Sequence, residues 1–169
     1  RSIDLSSASV SIGGVTNVGG LAGVIKDVDV SWCFVNREGI VAGTYNVGGL
    51  VGKMENAWMD NSYSEAKVFE IIDVSAGKDV GNIGGLVGSV QGDYSVIKNC
   101  YAVGQVIGEN NAGGLVGYNE NGRIIQSYYD SVTTGKSQED NEWGDPKTTE
   151  EMMQRSTFNG WNFYEYWNI

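Results

Sequence analysis

The 169-residue sequence contains no histidine. Without histidine, a chain cannot form a Ser-His or Cys-His nucleophile pair, and it lacks a usual nitrogen ligand of protein-bound zinc. Chemistry that depends on Tyr, Asp, Glu or Lys stays open. The sequence predicts no metal site and no cofactor.

Basic residues and long apolar runs are also scarce. Lys and Arg total 11 against 21 Asp and Glu, which gives a formal charge of −10. Because phosphate binding needs a basic stripe, neither nucleic acid nor an anionic membrane surface is an expected partner. No apolar run approaches the roughly 20 residues of a membrane-spanning helix, so membrane insertion is not expected.

The sequence shows no signal peptide and opens like the tail of a repeat, and we expect a piece of a longer multidomain chain.

Proline occurs once, at Pro146, whereas glycine occurs 25 times. A disordered linker would normally carry more proline and fewer aromatic residues. The composition instead suits a chain that turns tight corners at regular intervals, with enough apolar residues to bury a core.

A seven-residue phrase, Asn-x-Gly-Gly-Leu-x-Gly, occurs four times, at residues 17–23, 46–52, 82–88 and 111–117. The intervals between its leucines are 29, 36 and 29 residues. Five fixed positions that recur four times are far beyond chance, so the sequence predicts a repeat protein. Its units begin near Asn17, Asn46, Asn82 and Asn111.

Each unit reads as about three short strands with three corners. The second strand ends in an aromatic residue, which we assign to Phe34, Tyr63, Tyr101 and Tyr129 in the four units. Propeller blades need longer repeats, and leucine-rich repeats need more leucines. The pattern therefore predicts an all-β fold, a right-handed parallel β-helix (β-solenoid) of about 4–5 coils, with the handedness taken from the general crossover preference.

A β-helix gives every position of the phrase a structural role. The leucines should point inward and stack, and the paired glycines should form a close corner at which φ turns positive. The asparagine amides should bond from coil to coil in a ladder. The predicted structural residues are Leu21, Leu50, Leu86 and Leu115, with Asn17, Asn46, Asn82 and Asn111.

The repeats resemble the GLUG motif, most clearly at Gly85-Leu86-Val87-Gly88 with Asn99-Cys100-Tyr101. Proteins with this motif include bacterial IgA-protease-type peptidases and large surface adhesins, so the resemblance implies a β-helical stalk in an extracellular or cell-surface protein. Peptidase activity in that family belongs to a separate zinc domain with a His-Glu-x-x-His motif. Because this chain has no histidine, no catalytic residue carries over.

The pattern changes after the fourth unit. We assign residues 1–135 to the solenoid and residues 136–169 to a polar loop, a short helix that begins with a capping box at Thr148, and an aromatic C-terminal cap. The open end of a solenoid needs such a cover. Two alternatives stay open: Trp161 and Trp167 form a carbohydrate platform, or the segment is a junction with a following domain.

Other candidate groups favour structural roles. Cys33 and Cys100 occupy equivalent positions two coils apart, too far for a disulfide, and we expect both to be small buried residues. The carboxylates do not form a repeating column, and no Asp recurs after the glycines as calcium-binding repeats require. We interpret these carboxylates as solvated turn residues spread over different units: Asp60, Glu65, Asp73, Asp93, Glu109 and Glu120.

The second unit is seven residues longer than the first, and the extra residues lie near Phe69 to Val80. Insertions in solenoids often bind partners, so Asp73 and Lys78 are candidate contact residues. The sequence favours a non-catalytic structural or adhesion module of a larger bacterial cell-surface or secreted protein, with an unknown host protein or glycan as partner. The alternatives are a carbohydrate-binding or polysaccharide-active β-helix domain and an accessory domain of an IgA-protease-like peptidase.

Overall fold

A computed structural model describes residues 11–72, 81–109, 111–164 and 167. In these residues the backbone winds into stacked coils, and each coil adds one strand to each of five parallel sheets. Equivalent residues of successive coils lie side by side, as in the pairing of Val47 with Ile83 and of Ile83 with Ala112. The arrangement fits a right-handed parallel β-helix, and the predicted fold class is confirmed.

The sheets are numbered here in the order in which the chain visits them. Sheet 1 contains β1 (Ser11–Gly13), β6 (Ile40–Gly43), β11 (Lys67–Glu70) and β16 (Val106–Ile107). Sheet 2 contains β2 (Thr16–Gly19), β7 (Tyr45–Gly48), β12 (Ile83–Gly84) and β17 (Ala112–Gly113). Sheet 3 contains β3 (Ala22–Lys26), β8 (Val51–Glu55), β13 (Val87–Gln91) and β18 (Val116–Asn119). Sheet 4 contains β4 (Asp29–Ser31), β9 (Trp58–Asp60), β14 (Val96–Lys98) and β19 (Arg123–Ile125). Sheet 5 contains β5 (Phe34–Val35), β10 (Tyr63–Ser64), β15 (Tyr101–Ala102), β20 (Tyr128–Asp130) and β21 (Asp145–Lys147).

The prediction of three strands in each unit is wrong, because a full coil contributes five. The glycine-rich phrase itself forms two strands, in sheets 2 and 3, where the sequence predicts only a corner. The strand expected to end at Phe34 is divided by Trp32, which adopts a left-handed φ of 60°. Asn61 and Asn99 divide the next two coils in the same way, with φ of 45° and 51°.

The positive φ expected at the paired glycines is also wrong. Asn17 and Asn46, which precede the glycines, have φ of 53° and 51°. Asparagine tolerates this region because its short polar side chain bonds locally. Among the described residues, the glycines with positive φ all lie outside the phrase: Gly92, Gly135, Gly144 and Gly160.

The glycines of the phrase are needed because the backbones of neighbouring coils approach one another closely. A Cβ atom at Gly84 would overlap the carbonyl oxygen of Val87 and lie 2.7 Å from the amide nitrogen of Gly117. At Gly85 it would lie 2.9 Å from the Cβ of Ala102, across the core. At Gly88 it would lie 2.5 Å from the amide nitrogen of Val47, in the preceding coil. Any side chain at these positions would force the coils apart.

The asparagines form the predicted ladder. Asn46 Nδ2 donates to Asn17 Oδ1 at 2.8 Å, and Asn82 Nδ2 donates to Asn46 Oδ1 at 2.8 Å. Asn111 Nδ2 continues the series to Asn82 Oδ1 at 2.9 Å. Every bond runs towards the preceding coil. Asn46 and Asn82, in the middle of the ladder, are buried, and these bonds satisfy their amides, as buried polar groups require.

The core lies inside the coils and consists of stacked aliphatic residues. Leu50, Leu86 and Leu115 are fully buried. Their backbones are hydrogen-bonded from coil to coil: Leu50 N donates to Leu86 O at 2.9 Å, and Leu86 N donates to Leu115 O at 2.8 Å. Leu21, in the first coil, is only partly buried. Within the described residues, the two middle coils are therefore packed from both sides, whereas the first is packed from one.

The aromatic column of sheet 5 ends at Tyr128, not at the predicted Tyr129. Tyr101 pairs with Tyr128, and Ala102 pairs with Tyr129. Because side chains alternate across a strand, Tyr128 faces outward and Tyr129 faces into the core, where it is fully buried. The Tyr-Tyr dipeptide left two registers open, and only the pairing of β20 decides between them.

The C-terminal segment contains α1 (Ser131–Thr134), α2 (Thr149–Met152) and a short 3-10 helix (Arg155–Thr157). The capping box at Thr148 is present: its Oγ1 accepts from Glu151 N at 3.2 Å, and Glu151 Oε2 accepts from Thr148 N at 2.7 Å. The short helix therefore begins at the predicted capping box.

The segment predicted as a polar loop contributes much of the cover over the last coil. β21 pairs with β20 along the edge of sheet 5. Asn141 Nδ2 donates to the carbonyl oxygens of Val116 and Gly117, at 2.9 and 3.3 Å, and so satisfies the edge of sheet 3. Trp143 packs against the core. The aromatic cluster itself lies on the outer face of sheet 5.

Candidate functional site

Three outward aromatic rings stack along sheet 5. The ring centroids of Phe34 and Tyr63 are 4.8 Å apart, and those of Tyr63 and Tyr101 are 4.7 Å apart. The planes are nearly parallel, at 5° and 2°. This spacing is that of hydrogen-bonded strands, so the coil repeat itself imposes the stack. We call Phe34, Tyr63, Tyr101 and the following Tyr128 the aromatic ladder.

The C-terminal segment folds back onto the aromatic ladder. Trp161 lies 6.2 Å from Tyr101 and 6.0 Å from Tyr128, between ring centroids, and its Nε1 donates to Gln126 O at 3.0 Å. Trp167 lies 5.7 Å from Tyr101 and 6.1 Å from Tyr63. Offset and tilted aromatic contacts of this kind add to the gain from area burial. The two tryptophans thus hold the segment against the coils.

A groove with a volume of about 530 Å³ lies beside these rings, and we call it the aromatic groove. Its volume is in the range of small-ligand sites. Its apolar lining includes Tyr101, Met152, Phe158, Trp161 and Trp167. Its polar lining consists of Arg37, Glu65, Asp130, Thr133 and Thr149.

The carboxylates that line the groove differ in the number of hydrogen bonds that they accept. Asp130 Oδ1 accepts from the amides of Val132 and Thr133 at 2.9 and 3.1 Å, and Oδ2 accepts from Thr149 Oγ1 at 2.8 Å. Asp130 is therefore committed to anchoring both short helices. Among the described residues, Glu65 Oε2 accepts from the backbone amide of Arg37 at 3.1 Å.

Of the four residues predicted as contact candidates, the structure describes two. Trp161 and Trp167 come together, with ring centroids 4.5 Å apart and planes at 37°. Trp161 is buried, so the pair is not a flat exposed platform. Asp73 and Lys78 lie outside the described residues. Sequence analysis did not select Arg37 for the groove and treated Glu65 as a solvated turn residue.

The carboxylates singled out in the sequence stay apart where the structure describes them. Asp60 lies in sheet 4, and Glu65 follows sheet 5. Glu109 follows sheet 1, and its backbone N donates to Glu70 Oε2 at 2.7 Å. Within the described residues, no three His, Cys, Asp or Glu side chains cluster as metal ligands would.

Cys33 and Cys100 are both buried and unpaired, as expected. Each lies in a column that alternates with serine: Cys33 N donates to Ser62 Oγ, and Cys100 N donates to Ser127 Oγ, both at 3.1 Å. Burial raises the pKa of the Cys100 thiol to about 12. A thiol that stays protonated is a poor nucleophile, which fits a structural role.

Alkaline pH is expected to destabilise the fold through Tyr129. Burial, with smaller contributions from Asp140 and Asp145, raises the pKa of Tyr129 to about 12, against about 10 in an unfolded chain. Since the native state holds this proton more tightly, the stabilisation is complete below pH 10 and is lost between about pH 10 and 12. We expect Tyr129 alone to lower the free energy of unfolding, measured by urea denaturation, by up to about 1.4 kcal/mol per pH unit over this window.

The matched variant is Tyr129→Phe, which removes a hydroxyl without a hydrogen-bond partner among the described residues. Its free energy of unfolding should fall less steeply over the same window. Equal slopes for the two proteins would show that Tyr129 does not carry the effect.

The fold and its repeated columns define a parallel β-solenoid built from a glycine-rich repeat. The family model of the GLUG motif matches residues 79–107, which contain the third occurrence of the phrase. The chain therefore carries GLUG-motif repeats, and the resemblance seen in the sequence is confirmed. No solved structure gives a significant match.

Curated relatives extend the comparison. A protein named as a putative Gly-rich membrane protein from Evansella cellulosilytica is 39% identical in an alignment 121 residues long that covers 66% of this chain and 13% of that protein. An immunoglobulin A1 protease of Streptococcus pneumoniae is 28% identical in an alignment 130 residues long that covers 74% of this chain and 6% of the protease. Halomucin of Haloquadratum walsbyi is 31% identical in an alignment 133 residues long that covers 68% of this chain and 1% of halomucin.

The chain thus spans only a small part of each of these relatives. The similarity covers the repeat region, so it relates this chain to a module that occurs within larger proteins. The described part of the chain holds no helix of a length and apolarity that would cross a lipid bilayer.

Proposed function

We propose that the chain is a non-catalytic structural module, a stalk or interaction domain within a larger extracellular or cell-surface protein. The observation that carries this proposal is the use of the repeated phrase. Its asparagine bonds to the preceding coil, its leucine fills the core, and its glycines permit close contact between coils. The repeated residues are thus used in stacking coils.

The relatives support the same proposal. They are named as a Gly-rich membrane protein, an immunoglobulin A1 protease and a halomucin. All three are much longer than this chain, and each matches it over a small fraction of its length. A module shared by proteins with such different names suits a spacer or scaffold role. An accessory role beside a peptidase domain is one form of this role.

Turnover assays test the non-catalytic part of the proposal. The purified chain is incubated with mucin glycans, peptidoglycan and immunoglobulin A1, and released reducing ends and peptide fragments are measured. We expect the native chain to match a heat-denatured sample. Saturable release by the native sample alone would overturn the proposal.

Tandem duplication tests the structural part. Stacked repeats interact mainly with their neighbours, so a solenoid accepts a further unit. A second copy of residues 46–81 inserted after residue 81 should give a folded monomer whose long dimension, measured by small-angle X-ray scattering, grows by about 4.8 Å. A duplicated chain that fails to fold would contradict the role of a modular stalk.

A further inference from the structure

The aromatic groove has features that the packing of the C-terminal segment does not require. A segment that only covers the aromatic ladder would be stabilised by a dry apolar contact. Instead, a groove of about 530 Å³ remains beside the rings of Tyr101, Trp161 and Trp167. Charged residues border the same groove at Arg37 and Glu65.

The hydrogen-bonding groups of the groove are only partly used. Trp167 Nε1 is buried and has no hydrogen-bond partner among the described residues. None of the three ion pairs in the described part of the chain involves Arg37. Buried indole N–H groups normally have a partner, and leaving one unpaired costs stability. The groove thus combines a guanidinium and a carboxylate with aromatic rings.

This combination matches the surface of a pyranose ring. A sugar presents C–H groups on its faces, which pack on aromatic rings, and hydroxyl groups at its edge, which both donate and accept hydrogen bonds. Trp167 supplies an aromatic ring, Arg37 supplies donors, and Glu65 supplies acceptors. An alkyl chain or an apolar peptide segment would leave these polar groups without partners, which costs binding free energy.

We infer that the aromatic groove binds an oligosaccharide of two or three pyranose rings. The indole of Trp167 provides the stacking contact, while Arg37 and Glu65 bond the ring hydroxyls. Asp130 acts as a positioning residue, since its carboxylate oxygens are occupied by Val132, Thr133 and Thr149. The site binds sugar without cleaving it and adds a ligand to the proposed structural module.

Tryptophan fluorescence tests the inference directly. The whole chain is titrated to about 10 mM, a range that detects millimolar affinity, with chitotriose, cellotriose, maltotriose and β-1,4-galactotriose. We expect a saturable change with at least one of the four sugars. Arg37→Gln and Trp167→Ala should each weaken binding by about tenfold or more, because each removes a contact or a charged hydrogen bond.

Matched controls come from the outer face of sheet 4. Trp58→Ala and Arg123→Gln remove the same residue types from one column of sheet 4, in which both align with Val96, and should leave the affinity unchanged. Arg37 is exposed, so Arg37→Gln should fold even if Trp167→Ala loosens the C-terminal segment. Thermal unfolding of each variant checks the fold.

Two results would overturn the inference. The first is the absence of a saturable change with all four sugars. The second is binding that Arg37→Gln and the folded Trp167→Ala variant leave intact, which would place the sugar elsewhere. Release of reducing ends from the bound sugar would count against the proposed non-catalytic function while leaving the binding site in place, so the two proposals fail separately.

Discussion

Gly84→Ala is expected to prevent folding or to lower the midpoint of thermal unfolding by at least about 6 °C. The new methyl group would overlap Val87 O, and it would lie 2.7 Å from Gly117 N in the next coil. Both neighbours are backbone atoms that hydrogen bonds hold in place. Overpacking of this kind costs about 3 kcal/mol or more, and each 1 kcal/mol shifts the midpoint by about 2–4 °C at this chain length.

The matched control for Gly84→Ala is Gly13→Ala. Gly13 lies in β1, at an exposed position, and a Cβ atom there would have no heavy atom within 4 Å. Its unfolding midpoint, followed by circular dichroism, should stay within about 2 °C of the parent, as for most surface changes. Equal midpoints for the two variants would show that the coils can separate at Gly84 without cost.

Leu86→Ala is expected to lower the free energy of unfolding by about 2–5 kcal/mol. Leu86 is fully buried and is enclosed by coils on both sides. Truncation removes apolar contacts and leaves a cavity, which the hydrogen-bonded coils above and below prevent from collapsing. The quantity is measured by chemical denaturation.

Leu21→Ala separates the effect of the coil's position from the effect of the residue type. Leu21 occupies the same place in the phrase, but it is only partly buried. Its truncation should cost less than half as much as that of Leu86. Equal losses at the two leucines would contradict the picture of a stack whose middle coils are packed on both faces.

Sequence alone gave the parts of the fold that repeat. An asparagine every 29 or 36 residues predicts a ladder because only stacked coils bring such distant side chains within bonding distance, as for Asn46 and Asn17. The same reasoning locates the leucine column. These predictions are reliable because each position of the phrase occurs four times in the sequence.

The predictions were wrong where a feature does not repeat in the sequence, or where two neighbouring residues could occupy the same position. Trp32 occupies a left-handed corner that no glycine or proline marks. Tyr128 and Tyr129 are chemically identical, and only their pairing with Tyr101 and Ala102 assigns their faces. Local residue preferences therefore could not give the number of strands or the register of the last coil.

The groove was harder to predict than the fold. Arg37 and Glu65 belong to the coils, whereas Trp161 and Trp167 arrive from a segment far along the chain. The tryptophans were visible as an unusual aromatic cluster, but nothing in the sequence indicates which sheet they cover. Their meeting with Arg37 depends on long-range contacts that do not repeat.

The cover over the last coil also bears on self-assembly. Parallel strands in register, with aligned asparagine and aromatic columns, are the template on which fibrils grow by adding further chains. At the end of this stack, β21 occupies the edge of β20, and Asn141 occupies the carbonyl groups of β18. These contacts terminate the hydrogen-bond series of sheets 5 and 3 within one molecule. The ends of these two sheets are thereby closed to a further chain that would add head to tail.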